Sequence, residues 1–138
     1  MIRYAVLLVT VFILTVCCQA RETAIYRDGS GRLVGRSETS GSRTVYRDAS
    51  GRISTTAVQQ GNRTIYRDGS GRLQGTAVQQ GNRTVYRDAS GRISTTAVRQ
   101  GNRTIYRDGS GRLQGTGNSS KYQTVYRDAS GRIIYTKR

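Results

Sequence analysis

Histidine, proline and tryptophan are absent from this 138-residue chain, and its two cysteines stand side by side at Cys17-Cys18. Without histidine, the commonest general base and the commonest metal ligand are both missing. Acidic side chains are also few: eight Asp and Glu against 23 Lys and Arg leave a formal net charge of +15. Apart from Glu22 and Glu38, the acids beyond residue 20 are Asp28, Asp48, Asp68, Asp88, Asp108 and Asp128. Each of these sits close to two arginines, which keeps a carboxyl ionised and makes it a poor general base. Large apolar residues are scarce as well. Each stretch of 20 residues offers an Ile or Val, a Tyr, a Leu or Ile and sometimes an Ala-Val pair. That is too little for the central core of an ordinary globular domain. These shortages predict a protein that is no enzyme, binds no cofactor or metal, and takes no small-molecule substrate.

The single long apolar run is Ala5 to Val16, preceded by Met1 and Arg3 and followed by Cys18-Gln19-Ala20. This order reads as a signal peptide over residues 1–20 with cleavage after Ala20. The run is shorter than the roughly 17–25 residues of a spanning helix, so a retained anchor is the lesser alternative. Lipid attachment at Cys17 or Cys18 is another, although Val16 and Cys17 stand where the lipoprotein pattern has a small residue. The expected location is secreted, periplasmic or cell-surface. Cleavage after Ala20 removes both cysteines, and with them disulfides and any thiol nucleophile. Retention would leave a vicinal pair open to redox chemistry.

From residue 21 to 138 the chain is organised by repetition. Tyr26-Arg27-Asp28-Gly29-Ser30-Gly31-Arg32-Leu33 returns with its tyrosine at Tyr46, Tyr66, Tyr86, Tyr106 and Tyr126, a period of 20. Repeats of this length build arrays stabilised by neighbour-to-neighbour pairing. Asp68-Gly69-Ser70-Gly71 and Asp88-Ala89-Ser90-Gly91 fit a type I turn closed by a glycine at positive φ. Gly41, Gly61, Gly81 and Gly101 mark a second set of turns, read as three-residue loops with Val78 opposite Asn82. Two seven-residue strands and two three-residue loops then fill each unit. The predicted fold is all-β, an antiparallel meander of about twelve strands in six hairpin repeats. It forms one layer, twisted or curled; flat, curled and closed forms all satisfy the repeat. A parallel solenoid would stack Arg on Arg and Asp on Asp, which is unfavourable. Disorder is the remaining alternative, because charge is high and apolar content low.

Units alternate in pairs, so residues 44–83 closely match 84–123. The match breaks at Thr116 to Lys121, where Lys121 replaces the turn glycine and a longer loop is expected. In the predicted register, Tyr66, Gln74, Thr64 and Thr76 share one face with an alternating Asp/Arg row. Arg67, Leu73, Ile65 and Gly75 share the other. The Tyr/Thr face is a plain sheet surface or a place for sugar.

The Asp-x-x-Gly-Arg-(Leu/Ile) spacing, with a Gly-Asn such as Gly61-Asn62 about six residues upstream, resembles the YD repeats of RHS-type proteins. The resemblance covers residues 22–138. It implies curled β-hairpin sheets, which in that family enclose a toxin or bind surfaces. The chain departs from the family at Arg27, Arg47, Arg67, Arg87, Arg107 and Arg127, where a tyrosine commonly precedes the aspartate.

Charge supplies the functional expectation. Asp28 through Asp128 offset Arg32 through Arg132 on the first face. On the second, Arg27, Arg43, Arg47, Arg63, Arg67, Arg83, Arg87, Arg103, Arg107 and Arg127 have no acidic counterpart. Those arginines suit an extended polyanion: extracellular nucleic acid, acidic polysaccharide or anionic lipid headgroups. The bland reading is a solvated face that keeps the sheet from aggregating. Without a catalytic constellation, the leading expectation is a secreted or cell-envelope structural or adhesive surface, with edge-to-edge self-association through two exposed sheet edges. Polyanion binding is the alternative. In that alternative, Arg67, Arg87 and Arg107 are expected to matter more for binding than Arg72, Arg92 and Arg112.

Overall fold

The structure, a computed structural model, describes residues 21–138; the stretch expected to be a signal peptide, residues 1–20 with Cys17-Cys18, lies outside the described residues. Twelve strands follow one another: β1 (Glu22–Asp28), β2 (Leu33–Ser40), β3 (Arg43–Asp48), β4 (Ile53–Gln60), β5 (Arg63–Asp68) and β6 (Leu73–Gln80). The second half repeats the pattern with β7 (Arg83–Asp88), β8 (Ile93–Gln100), β9 (Arg103–Asp108), β10 (Leu113–Ser119), β11 (Thr124–Asp128) and β12 (Ile133–Lys137). Each strand pairs antiparallel with its neighbours in sequence, and β1 also pairs with β12, so the meander closes into a barrel. Strands are five to eight residues long instead of a uniform seven.

The turn chemistry explains both ends of the hairpins. In the Asp-type turns the Asp68 amide donates to the Arg72 carbonyl at 2.9 Å and the Gly71 amide to the Asp68 carbonyl at 3.0 Å. Gly71 has φ +88°, a left-handed conformation that other residues resist. The second set of turns differs from the three-residue loops expected. Gln80 pairs directly with Arg83, leaving only Gly81-Asn82 in the turn, and Gly81 has φ +58°. A two-residue turn with positive φ at its first position matches the right-handed twist of the flanking strands, so it wins over the longer loop. At Ser120 to Gln123 the expected longer loop is present, closed by the Ser120 amide on the Gln123 carbonyl at 2.8 Å.

A second departure lies within each Asp-type hairpin. Arg67 faces Leu73, but Tyr66 faces Gly75, so Gln74 is an extra residue in a β-bulge. The same shift recurs in all six such hairpins. The bulge and the shorter turn each change the pairing by an odd number of residues. Together they turn every even strand over relative to the predicted register. Gly75 and Ala77, not Thr76, accompany Tyr66 and Thr64 on the buried side. Thr76 and Val78 face outward with the arginines.

These local shifts also close the sheet. The perpendicular row from Tyr26 through Gly35 reaches Asp48, two residues beyond the equivalent Tyr46. Such stagger tilts strands by the roughly 35–45° typical of closed barrels, and bulges add the coiling. The seam follows the same rules. The Ile25 amide donates to the Arg138 carbonyl at 2.8 Å, and the Arg138 amide returns a bond to Ile25 at 3.0 Å. The two sheet edges expected to be exposed are therefore paired with each other.

The two-unit alternation runs through the seam as well. A Cβ on Gly69 would overlap the Ile53 carbonyl oxygen of the preceding turn, and Gly109 stands in the same relation to Ile93. Gly29 stands in that relation to Ile133, across the closure. The last unit therefore meets the first as any even unit meets the next odd one.

The core is a tyrosine-filled lumen. Tyr26, Tyr106, Tyr126 and Tyr135 are buried with Ala24 and Ala97, and Val34, Tyr46, Tyr86 and Ile134 pack against them. Tyr126 stacks on Tyr135 with ring centroids 4.2 Å apart, and Tyr26 meets Tyr135 edge-on at 6.4 Å. Small Ala and Gly residues on the even strands leave room for rings from the odd strands. Among the described residues, every buried side-chain polar atom has a partner, as in the Tyr26–Ser37 hydroxyl pair at 3.3 Å. The scarcity of aliphatic residues is thus met by rings.

Candidate polyanion-binding surface

All ten arginines singled out from the sequence lie on the outer wall, because each alternates with the lumen-facing Thr and Tyr of its strand. Eight are exposed, and Arg47 and Arg127 are half-buried. The wall is closed, however, and the two rows sit at opposite ends. Arg27, Arg47, Arg67, Arg87, Arg107 and Arg127 flank the Asp-type turns. Arg43 flanks the Gly41-Ser42 turn, and Arg63, Arg83 and Arg103 flank the Gly-Asn turns at the same end. Four residues separate Arg63 from Arg67, about 13 Å of strand. A flat partner cannot engage both rows all the way round.

The Asp-type end carries a further ring that the sequence reading discounted. The sequence places Arg32, Arg52, Arg72, Arg92, Arg112 and Arg132 opposite the aspartates, which are expected to offset their charge. Instead, Asp68 and Arg72 form no ion pair within 4.0 Å, and the same holds in the other units. The Asp68 carboxylate turns into its own loop. It accepts the Ser70 hydroxyl at 2.6 Å, the Ser70 amide at 2.9 Å and the Arg72 amide at 2.9 Å. The Ser70 hydroxyl is the largest cause holding this carboxyl below its ordinary value, followed by the Arg72 backbone amide; the Arg72 charge contributes less.

The contacts of the two arginine sets therefore differ from those expected. Arg67 donates through Nη1 to the Gly71 carbonyl at 3.0 Å, which fixes it across the turn. Arg27, Arg47, Arg87, Arg107 and Arg127 do the same in their units. The guanidiniums of Arg32 through Arg132 are exposed and make no hydrogen bond among the described residues. An Asx-type loop is a local motif that competes for the carboxylate, and the sequence signal for it was the serine two residues after each aspartate.

The tyrosines and the odd-strand threonines considered for sugar are turned inward while Thr76 faces outward, so together they offer no extended surface. What remains of it is a cavity of about 80 Å³ at the Gly-Asn end, lined by residues such as Thr44, Thr64, Gln59 and Gln79 above Tyr46 and Tyr66. Burial pushes the phenols of Tyr46, Tyr66 and Tyr126 well above the ordinary value of 10.0.

No protein-family model matches the chain, and no curated protein matches it either. The site must be read from its own geometry. The outer wall does not suit a bilayer-spanning barrel. Outward arginines about 13 Å apart along a strand bracket far less than the roughly 25 Å apolar band such barrels present. Between the arginine rows stand Ile65 and its equivalents, with Thr76 and Val78 on the even strands.

Proposed function

We propose that this chain is a non-catalytic adhesive module that holds polyanions outside the cytoplasm through the basic wall and rim of its barrel. One observation carries the reading: the aspartate carboxylates are engaged by their own turns, which leaves the guanidiniums of Arg32 through Arg132 open to an external anion and the charges of Arg27 through Arg127 without a carboxylate partner. Arginine keeps its charge at any relevant pH and binds phosphate, sulfate or carboxylate through a forked donor. The extracytoplasmic setting rests on the signal-peptide pattern of residues 1–20. Closure of the seam speaks against edge-to-edge assembly as the adhesive mechanism and in favour of side-chain contacts.

The reading is tested by titrating a duplex DNA oligomer and a sulfated polysaccharide across a salt series. Log affinity should fall linearly with log salt, by roughly 0.9 per neutralised phosphate on the duplex. Replacing Arg72, Arg92 and Arg112 with Gln should flatten that slope more than replacing Arg67, Arg87 and Arg107, whose guanidiniums each already serve a carbonyl. A protein that ignores both these polymers and anionic vesicles at low salt refutes the proposal.

A further inference from the structure

The two ends of the barrel are both basic but differ in apolar character. Leu33, Ile53, Leu73, Ile93, Leu113 and Ile133 open the even strands immediately after the Asp-type turns and are 40–45% exposed. Each begins beside an outward arginine, as Leu73 pairs with Arg67. The corresponding positions at the other end are Ser40, Gln60, Gln80 and Gln100, all polar and exposed. One end of the barrel thus carries a circle of six aliphatic side chains set among two circles of arginine, and the other has no such circle among the described residues.

We infer that the Asp-type end docks end-on against an anionic lipid bilayer, with the Leu/Ile circle entering the headgroup region and the two arginine circles contacting lipid phosphates. This rests on the polyanion reading and names its partner. Three features favour a bilayer over a soluble polymer. A meander closed into a barrel brings all six Asp-type turns to one end, where a planar surface meets them together and a linear chain meets only some. Exposed aliphatic side chains gain from leaving water at a membrane interface but have no use against a phosphodiester or sulfate backbone. Of the rings that could stack on nucleic-acid bases, Tyr26, Tyr46, Tyr66, Tyr86, Tyr106, Tyr126 and Tyr135 are in the lumen, and among the described residues only Tyr122 is exposed, in the loop at the opposite end.

The charge balance of the rim agrees. Twelve arginines, Arg27 to Arg127 and Arg32 to Arg132, surround six aspartates, Asp28 to Asp128, so the rim remains cationic. Its arginines lie within one Debye length, roughly 8 Å, of a docked surface. Arg63, Arg83 and Arg103 stand about 13 Å further along their strands and are largely screened.

The experiment is vesicle co-sedimentation of the full chain with phosphatidylserine/phosphatidylcholine and with pure phosphatidylcholine vesicles, run beside the duplex DNA titration. Wild type is expected on the anionic vesicles only. Replacing Arg72, Arg92 and Arg112 with Gln should weaken vesicle binding on the order of a hundredfold, roughly fivefold per basic side chain near an anionic leaflet. Replacing Arg63, Arg83 and Arg103 with Gln should change it by less than about threefold. Replacing Leu73, Ile93 and Leu113 with Ser should weaken vesicle binding about tenfold while leaving DNA binding at the wild-type level. If that triple variant loses the barrel's circular dichroism, Ile93→Thr alone should lower vesicle binding about twofold. Binding to DNA without binding to vesicles overturns the inference and leaves the broader polyanion reading standing. Equal losses from the two arginine triples, or none from the aliphatic variants, overturn end-on docking. Silence toward every probe removes both readings.

Discussion

Replacing Gly75 with Ala tests the register and the closure together. Gly75 lies opposite Asp88 on the lumen side of β6, and a Cβ there would overlap the Arg87 carbonyl oxygen. The obstructing atom is backbone, so no rotamer change relieves it, and β6 and β7 must move apart. Overpacking of this kind costs about 1–3 kcal/mol. The substitution also stiffens the unfolded chain, which returns about 0.4–1 kcal/mol. The net expectation is a loss of about 1–2 kcal/mol. For a domain of this size that lowers Tm by roughly 4–10 °C. Gly35→Ala and Gly115→Ala meet the equivalent carbonyls of Arg47 and Arg127 and should behave alike. The assay is thermal unfolding followed by circular dichroism. In the register with three-residue loops, Gly75 would sit on the outer face beside Ile65 and Val85. There an alanine would raise Tm, because glycine weakens a strand. An unchanged or higher Tm in all three variants would refute the bulged register and the barrel built on it.

Further outcomes follow from the lumen and the turns. Tyr135 occupies the position held by Thr55 and Thr95 in the equivalent units, and it stacks on Tyr126. Tyr135→Thr should cost about 2–4 kcal/mol by opening a void, read from urea unfolding, and a cost below about 0.5 kcal/mol would contradict a filled lumen. The phenols of Tyr46, Tyr66 and Tyr126 are raised above 10.0 by burial. Their contribution is intact below pH 10 and is lost as pH rises past it, so phenolate absorbance and loss of fold should emerge together in alkali. The carboxyls of Asp28 through Asp128 are lowered from 3.8, chiefly by the serine hydroxyl of each turn. Their stabilisation is complete above pH 3.8 and disappears as pH falls through the lowered values. Replacing Ser70, Ser90 and Ser110 with Ala should move the acid transition to higher pH, and an unmoved transition would contradict the serine-capped turn.

Much of this architecture is legible along the chain, because it rests on local chemistry. Asp68, Ser70 and Gly71 specify their turn through bonds that span no more than four residues, so period and spacing predict twelve antiparallel strands in a meander. The irregular loop at Ser120 to Gln123 is equally local, announced by the loss of glycine at Lys121. Which face of each even strand turns inward is different. Gln74, Gly75 and Thr76 carry no strong contrast in polarity, so the pattern fits either register almost equally well. The bulge at Gln74 and the two-residue Gly81-Asn82 turn decide between them, and both are matters of backbone twist. Their joint stagger brings β12 to β1, so closure is a property of the summed hairpins and of no single one. Closure in turn makes a core of Tyr26, Tyr106, Tyr126 and Tyr135, which in an open sheet would remain a surface. The fate of the arginines was also settled in three dimensions. Opposite charges adjacent in a register suggest a pair, but the Asp68 carboxylate finds three closer donors within its own turn, and Arg72 is left facing water.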